Sequence, residues 1–337
     1  MAKLSQKENF MRVARRQEPE YVPVSYFARD KAPFMTMADP AVIGTFRGRD
    51  GGYDPWGVHY VTNAETNYAA IPEPGNFILT DVRKWRDVIH KPDYSGFDWE
   101  KAAADDRAKY VRDPEQTMFV ISGFGDLFQQ FIGMMGFTEG LCALYEEEDE
   151  VAELLDYMLE FSLYITKNVL DYYKPEGYYL LDDSASKLTP FMSPEVFNRL
   201  FVPRYKQILD LANERDIPIF YHNCGRCEDF IEPMGNLGVS VWDPAQVQND
   251  LKALHQKLGR KVAINGGYEY NKPPEWPDVK EEDVRKTVYD TFQDLAPGGG
   301  FIFSGRMVTY DYSDPMVQKV NGWITDEALR LSETFYK

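Results

Sequence analysis

The sequence predicts a single (β/α)8 barrel over residues 1–337, on three observations. Short apolar runs alternate with longer segments of helical period, the pattern of a parallel sheet with crossover helices. Each run is apolar on both faces, as a strand between a barrel interior and a helix layer must be. Polar residues follow nearly every run, and in a barrel those strand ends converge on one mouth. At 337 residues and 44% hydrophobic composition, the chain can fill one large core of this kind.

In chain order the runs are YVPVSYF (21–27), MFVISGF (118–124), GYYLLDDS (177–184), IPIFYHNC (217–224), VSVWD (239–243), KVAINGG (261–267) and GFIFSG (300–305). The stretch from about 45 to 115, around YDPWGVHYV, reads as an excursion inserted early in the barrel, a hairpin and lid. Residues 147–171 carry Val151, Leu154, Leu155, Met158, Leu159 and Phe161 close to a 3.6 period, which predicts a helix. Ser193 and Pro194 open another, Ser as the cap and Pro in the first turn. Pro203 should kink that helix or split it. No run is followed by a dinucleotide or phosphate fingerprint; PGGGF (297–301) precedes a strand, which is the wrong context.

With 37 basic and 54 acidic residues the chain carries a formal charge of −17, which repels phosphate backbones and argues against nucleic acid as a partner. The three cysteines, Cys142, Cys224 and Cys227, do not make a disulfide framework and fit a reducing compartment. The first twenty residues hold no signal-like apolar core, and no stretch approaches the ~18 apolar residues that span a bilayer. A cytoplasmic protein with no membrane partner is expected, and a homo-oligomer is compatible with the composition.

The sharpest local signal is HNCGRC (222–227), directly after a strand. Alternate strand residues face the same side, so His222 and Cys224 can reach one point, and imidazole with thiolate suits Zn²⁺. Cys227 adds a CxxC spacing; the alternative is a structural histidine with unreactive thiols. Asp182 and Asp183 point to opposite sides, so at most one faces the mouth, as a catalytic, metal-binding or substrate-orienting group or else as a turn cap. Asp243 and Glu269 are each either a hard oxygen ligand or a turn residue, and Arg306 either binds an anionic group or pairs with an acidic neighbour. Ser184 and Ser304, with the aromatic strand ends Tyr26, Phe124 and Tyr221, are candidates for contact with substrate; core packing serves the aromatics equally well.

These motifs, taken in order, resemble a known family. The opening MRVARRQEPEYVPV, the segment GYYLLDDSASKLTPFMSPEVFNRLFVPRYKQI, and then HNCG, VSVWD, INGGYE and FIFSGRM are similar to the uroporphyrinogen decarboxylase superfamily, which includes cobalamin-dependent methyltransferases. The resemblance implies a barrel enzyme. VSYFARDKAPF lacks the arginine-rich loop of the true decarboxylases, which favours the methyltransferase branch. In that branch a His-x-Cys pair and a distant Cys hold zinc; His222 and Cys224 match the pair, and the distant position falls on Ser304. Cys227, Asp243 and Glu269 are then candidates to complete the shell. The implied function is methyl transfer between a small methylated substrate, an aromatic methyl ether among the candidates, and cobalamin carried by a partner corrinoid protein. The alternatives are a non-catalytic barrel that binds a corrinoid or a protein, and a decarboxylase-like lyase using Arg306 and Asp182 on a smaller carboxylated substrate.

Overall fold

The computed structural model describes the chain except residues 1–3, 26–33, 45, 67, 112, 272–278, 310–311 and 337, together with the side chain of Val308. The substrate contact expected at Tyr26 lies outside the described residues.

The chain forms a (β/α)8 barrel. Its strands are β1 (Val24–Ser25), β2 (Met35–Ala38), β6 (Met118–Ser122), β7 (Gly177–Leu181), β8 (Ile219–His222), β9 (Val239–Ala245), β10 (Ala263–Asn271) and β11 (Phe301–Val308). These eight lie in the order β1-β11-β10-β9-β8-β7-β6-β2, every pair parallel. The strands β1 and β2 end the order, and among the described residues no ladder joins them across the seam. All seven apolar runs supply strands. The eighth, β2, is MTMA, too short and mixed to stand out in the sequence.

Two separate clusters form the core. One lies inside the barrel: Met118, Val120, Tyr179, Phe220, Val241, Ala263 and Ile302 point inward from successive strands. The helix Gln6–Ala14 seals the lower end with Phe10 and Val13, and the Phe10 ring lies 5.8 Å from that of Phe220. The larger cluster fills the space between strands and helices, where the intervening positions Phe119, Ile121, Tyr178, Leu180, Ile219, Tyr221 and Trp242 face outward. This alternation decides which polar strand-end residues look into the mouth.

The long helix Glu148–Tyr173 buries its apolar stripe in the outer cluster. Ser193 caps the next helix, its hydroxyl accepting the N–H of Val196. That helix widens into a π turn over Phe197–Phe201 before continuing as Val202–Asn213. Pro203 has no N–H to return to the preceding turn, which accounts for the break. Between β2 and β6 the chain builds a three-stranded antiparallel sheet, β3 (Gly52–Tyr53), β4 (His59–Val61) and β5 (Ile71–Pro72). It is tied to the helix Leu127–Met135: the indole of Trp56 donates to Gln130 at 2.7 Å, and Arg47 pairs with Asp126 at the helix start. Among the described residues no helix is long and apolar enough to cross a membrane.

Candidate functional site

Register brings the site together. Leu181 of β7 pairs with His222 of β8, and His222 pairs with Asp243 of β9, so their side chains stand level at the rim of the barrel interior. Tyr179, two residues below Leu181, directs its hydroxyl up into the same space. It donates to Asp243 Oδ1 and lies 3.3 Å from His222 Nδ1. His222 Nδ1 is 3.2 Å from Asp243 Oδ1, and Asn265 of β10 donates to Asp243 Oδ2 at 3.2 Å.

Beyond the strands, Asp183 and Cys224 extend the inward series. Asp183 Oδ1 accepts the backbone N–H of Cys224 at 2.7 Å and lies 3.5 Å from His222 Nε2, while Oδ2 accepts from the Gln129 side chain at 3.2 Å. One ligand atom each from Asp183, His222 and Cys224 lies within 4.8 Å of the others. Gly225 makes the turn after Cys224 at φ +90°. A Cβ there would sit 2.6 Å from the carbonyl oxygen of Ser186 and 2.7 Å from that of Ala185, so the loop requires glycine.

Burial disfavours charge on His222, but the hydrogen bond to Asp243 and the charge of Asp183 outweigh it and raise its pKa. Burial, with Asp183 close by, pushes the Cys224 thiol up to about 12. With no cation present, then, the thiol holds its proton and is a weak nucleophile.

The remaining sequence candidates stand outside the three-residue cluster, some of them on the pockets that adjoin it. Asp182 turns outward and is fully buried; it accepts the N–H groups of Phe128 and Gln129, each at 3.0 Å, and the Tyr205 hydroxyl. It thereby satisfies two otherwise orphaned donors in the first turn of Leu127–Met135. Cys227 is buried, its thiol donating to the Asn223 carbonyl at 3.1 Å. Tyr221 and Ser184 are both held by the buried Asn223 side chain, which donates to each. Phe124 packs edge-on against Phe161 in the outer core. Glu269 accepts from Gln246 at 3.0 Å and stands outside the three-residue cluster. With Arg306, Ser304 and Cys224 it lines a cleft of about 540 Å³ that borders the cluster at Cys224, where the Arg306 guanidinium covers the Tyr312 ring at 4.8 Å. Ser304 also lines an inner pocket of about 120 Å³ with Asp243 and Asn265. The sequence marks Asn265 only as a polar strand end and Tyr179 only as an aromatic one, and gives no signal for Asn223. Tyr179 reads as core, and only its inward parity with His222 could have signalled it.

A sequence profile of the uroporphyrinogen decarboxylase (URO-D) family matches residues 107–305, more than half of the chain and all of β6 to the site-bearing part of β11. The chain belongs to the uroporphyrinogen decarboxylase family. The matched stretch contains Asp183, His222, Cys224, Asp243 and Ser304, whereas the antiparallel sheet β3–β5 precedes it. Among solved structures, a methyltransferase from Methanosarcina mazei is similar at 11% identity and a TM-score of 0.60, over 99% of this chain and 100% of that one. That likeness is one of fold. A fungal endo-beta-N-acetylglucosaminidase of glycosyl hydrolase family 18 overlaps more loosely, at 10% identity and a TM-score of 0.30, over 71% of this chain and 82% of that one. No curated protein sequence matches the chain.

Proposed function

We propose that this member of the uroporphyrinogen decarboxylase family is a methyltransferase. It moves a methyl group between a small methylated substrate and a corrinoid carried by another protein, with a metal held at the barrel mouth. The observation that carries the reading is the meeting of Asp183, His222 and Cys224 at one point beside the cleft.

The donor set fits a metal. A thiol, an imidazole and a carboxylate within 4.8 Å of one another make a mixed sulfur, nitrogen and oxygen set suited to Zn²⁺, and three protein ligands leave a position open. Ser304 stands where the resemblance calls for a further thiolate, and Asp183 takes the third place. When bound there, the metal supplies Lewis acidity toward a leaving oxygen or nitrogen. Exchanging one sulfur ligand for a carboxylate hardens it, which favours an oxygen leaving group and makes methoxylated aromatics the first compounds to try.

The chain's own groups prepare the site. Asp183 is immobilised by the Cys224 N–H and by Gln129. Cys224 gives up a proton only when a cation offsets the burial that holds its pKa near 12. Tyr268 and Arg306 line the cleft beyond Cys224, where they can hold the part of the substrate that does not react.

The test combines the protein with reduced cobalamin and a panel of methoxylated aromatics, methylamines and methyl thioethers, following the cobalt(I) absorbance. It should decay with at least one oxygen or nitrogen donor, and His222→Ala should abolish the decay. If only methylcobalamin plus a thiol reacts, transfer runs the other way. Silence in both directions, with a partner corrinoid protein present, sinks the reading.

A further inference from the structure

We infer that Tyr179, Asp243 and Asn265 act together as positioning residues that fix the neutral ring of His222 in the tautomer with its proton on Nδ1, leaving the Nε2 lone pair facing Asp183 and Cys224. The inference rests on the metal-site reading only for what Nε2 then does; the tautomer follows from the hydrogen bonds alone.

Nδ1 has two neighbours, Asp243 Oδ1 at 3.2 Å and the Tyr179 hydroxyl oxygen at 3.3 Å. The single Tyr179 proton is committed to Asp243 Oδ1. Nδ1 therefore faces acceptors only and must carry a proton itself. Nε2, on the mouth side, also faces a carboxylate, but Asp183 Oδ1 lies 3.5 Å away against 3.2 Å for Asp243 Oδ1 at Nδ1, so the single proton of the neutral ring goes to Nδ1.

The Asp243 carboxylate is in turn pinned by three donors: Tyr179 and His222 on Oδ1, and Asn265 on Oδ2. Tyr179 is anchored from below. Only 4% exposed, it stacks on Phe220 in the inner core with ring centroids 6.1 Å apart. The packing of the barrel interior thus sets the direction of an imidazole at its rim. A carboxylate behind a ligating imidazole fixes its ring and raises its basicity, and its removal typically weakens metal binding by roughly 10- to 100-fold.

Two measurements test this. The first is ¹⁵N–¹H correlation NMR of histidine-labelled, metal-free protein at alkaline pH, with His222→Gln to assign the ring. Nδ1 should appear as the protonated nitrogen and Nε2 as the bare one; the reverse overturns the inference whether or not the protein binds metal. The second is titration with Co²⁺, read by its visible spectrum. Asp243→Asn should bind roughly 10- to 100-fold more weakly, and Tyr179→Phe should weaken binding by less, since it keeps the ring packing. Native Co²⁺ affinity in a folded Asp243→Asn variant, judged by an unchanged melting temperature, overturns the role assigned to Asp243. If Asp243→Asn does not fold, the native tautomer and Tyr179→Phe decide, and an unchanged Tyr179→Phe then overturns the role of the hydroxyl. A native protein that takes up no Co²⁺ counts against the proposed function and leaves the tautomer measurement standing.

Discussion

The backbone N–H of Cys224 donates to Asp183 at 2.7 Å, which ties the end of β7 to the end of β8 where both side chains turn into the barrel mouth. The residues one step back along the chain, Asp182 and Asn223, are fully buried and spend their side chains on structural hydrogen bonds. One step along a strand separates a candidate ligand from a structural brace, and the first two predictions use that contrast.

Cys224→Ala and Asp183→Ala should each lower zinc content sharply in protein loaded under reducing conditions, whereas Cys227→Ala should retain it. The Cys227 thiol is spent on the Asn223 carbonyl and lies outside the three-residue cluster. Elemental analysis of the purified variants decides; full metal in Cys224→Ala, or none in Cys227→Ala, contradicts the assignment.

Asp182→Ala should destabilise the fold by roughly 3 kcal/mol or more, since three donors lose their acceptor in the interior. Metal bound per folded molecule should be unchanged. Chemical denaturation gives the first quantity. A loss of metal at native stability would return Asp182 to the site.

Gly225→Ala should cost at least roughly 1–3 kcal/mol and loosen metal retention, because the backbone stands at φ +90° and the new methyl meets two carbonyl oxygens. A variant with native melting temperature and native metal content would show that the turn tolerates a side chain.

Asp54 supplies a pH dependence. Burial raises its carboxyl to about 7, although the N–H groups of Val58 and Trp56 favour the anion. In the unfolded chain it ionises near 3.8, so between about pH 4 and pH 7 the folded state holds a proton that the unfolded state has lost. This contribution to stability is full below pH 4, declines as pH rises, and is gone above pH 7. Asp54→Asn keeps an acceptor for both N–H groups, should flatten that slope, and should exceed the parent in stability at pH 8 by up to roughly 4 kcal/mol. Denaturation midpoints from pH 4 to 8 check it; parallel curves for the two proteins would refute it.

The barrel was legible because its strands are buried on both faces and stand apart from their helices. The strand β2 was not, since MTMA carries too little apolar length, and the sheet β3–β5 shows a hairpin region without the partners it meets. At the site, His222 and Cys224 were legible from their spacing. Parity with His222 places Tyr221 on the outer face, and parity with Asp183 does the same for Asp182 and Ser184; each is buried there. Tyr179 was visible only as an aromatic strand end, because its ring packs in the core and its hydroxyl reaches Asp243 through a register the sequence does not show. The meeting of Asp183 with Cys224 depends on the register between β7 and β8, which no single segment contains.

The helix carrying Phe10 and Val13 gives the barrel a floor. Among the described residues the bottom is closed, so whatever gives a methyl group near His222 and whatever takes it would both come from the mouth side. For the proposed transfer, that makes traffic part of the chemistry: the bulky corrinoid and the small substrate cannot approach from opposite sides. Either they fit side by side under one rim, or one withdraws before the other arrives.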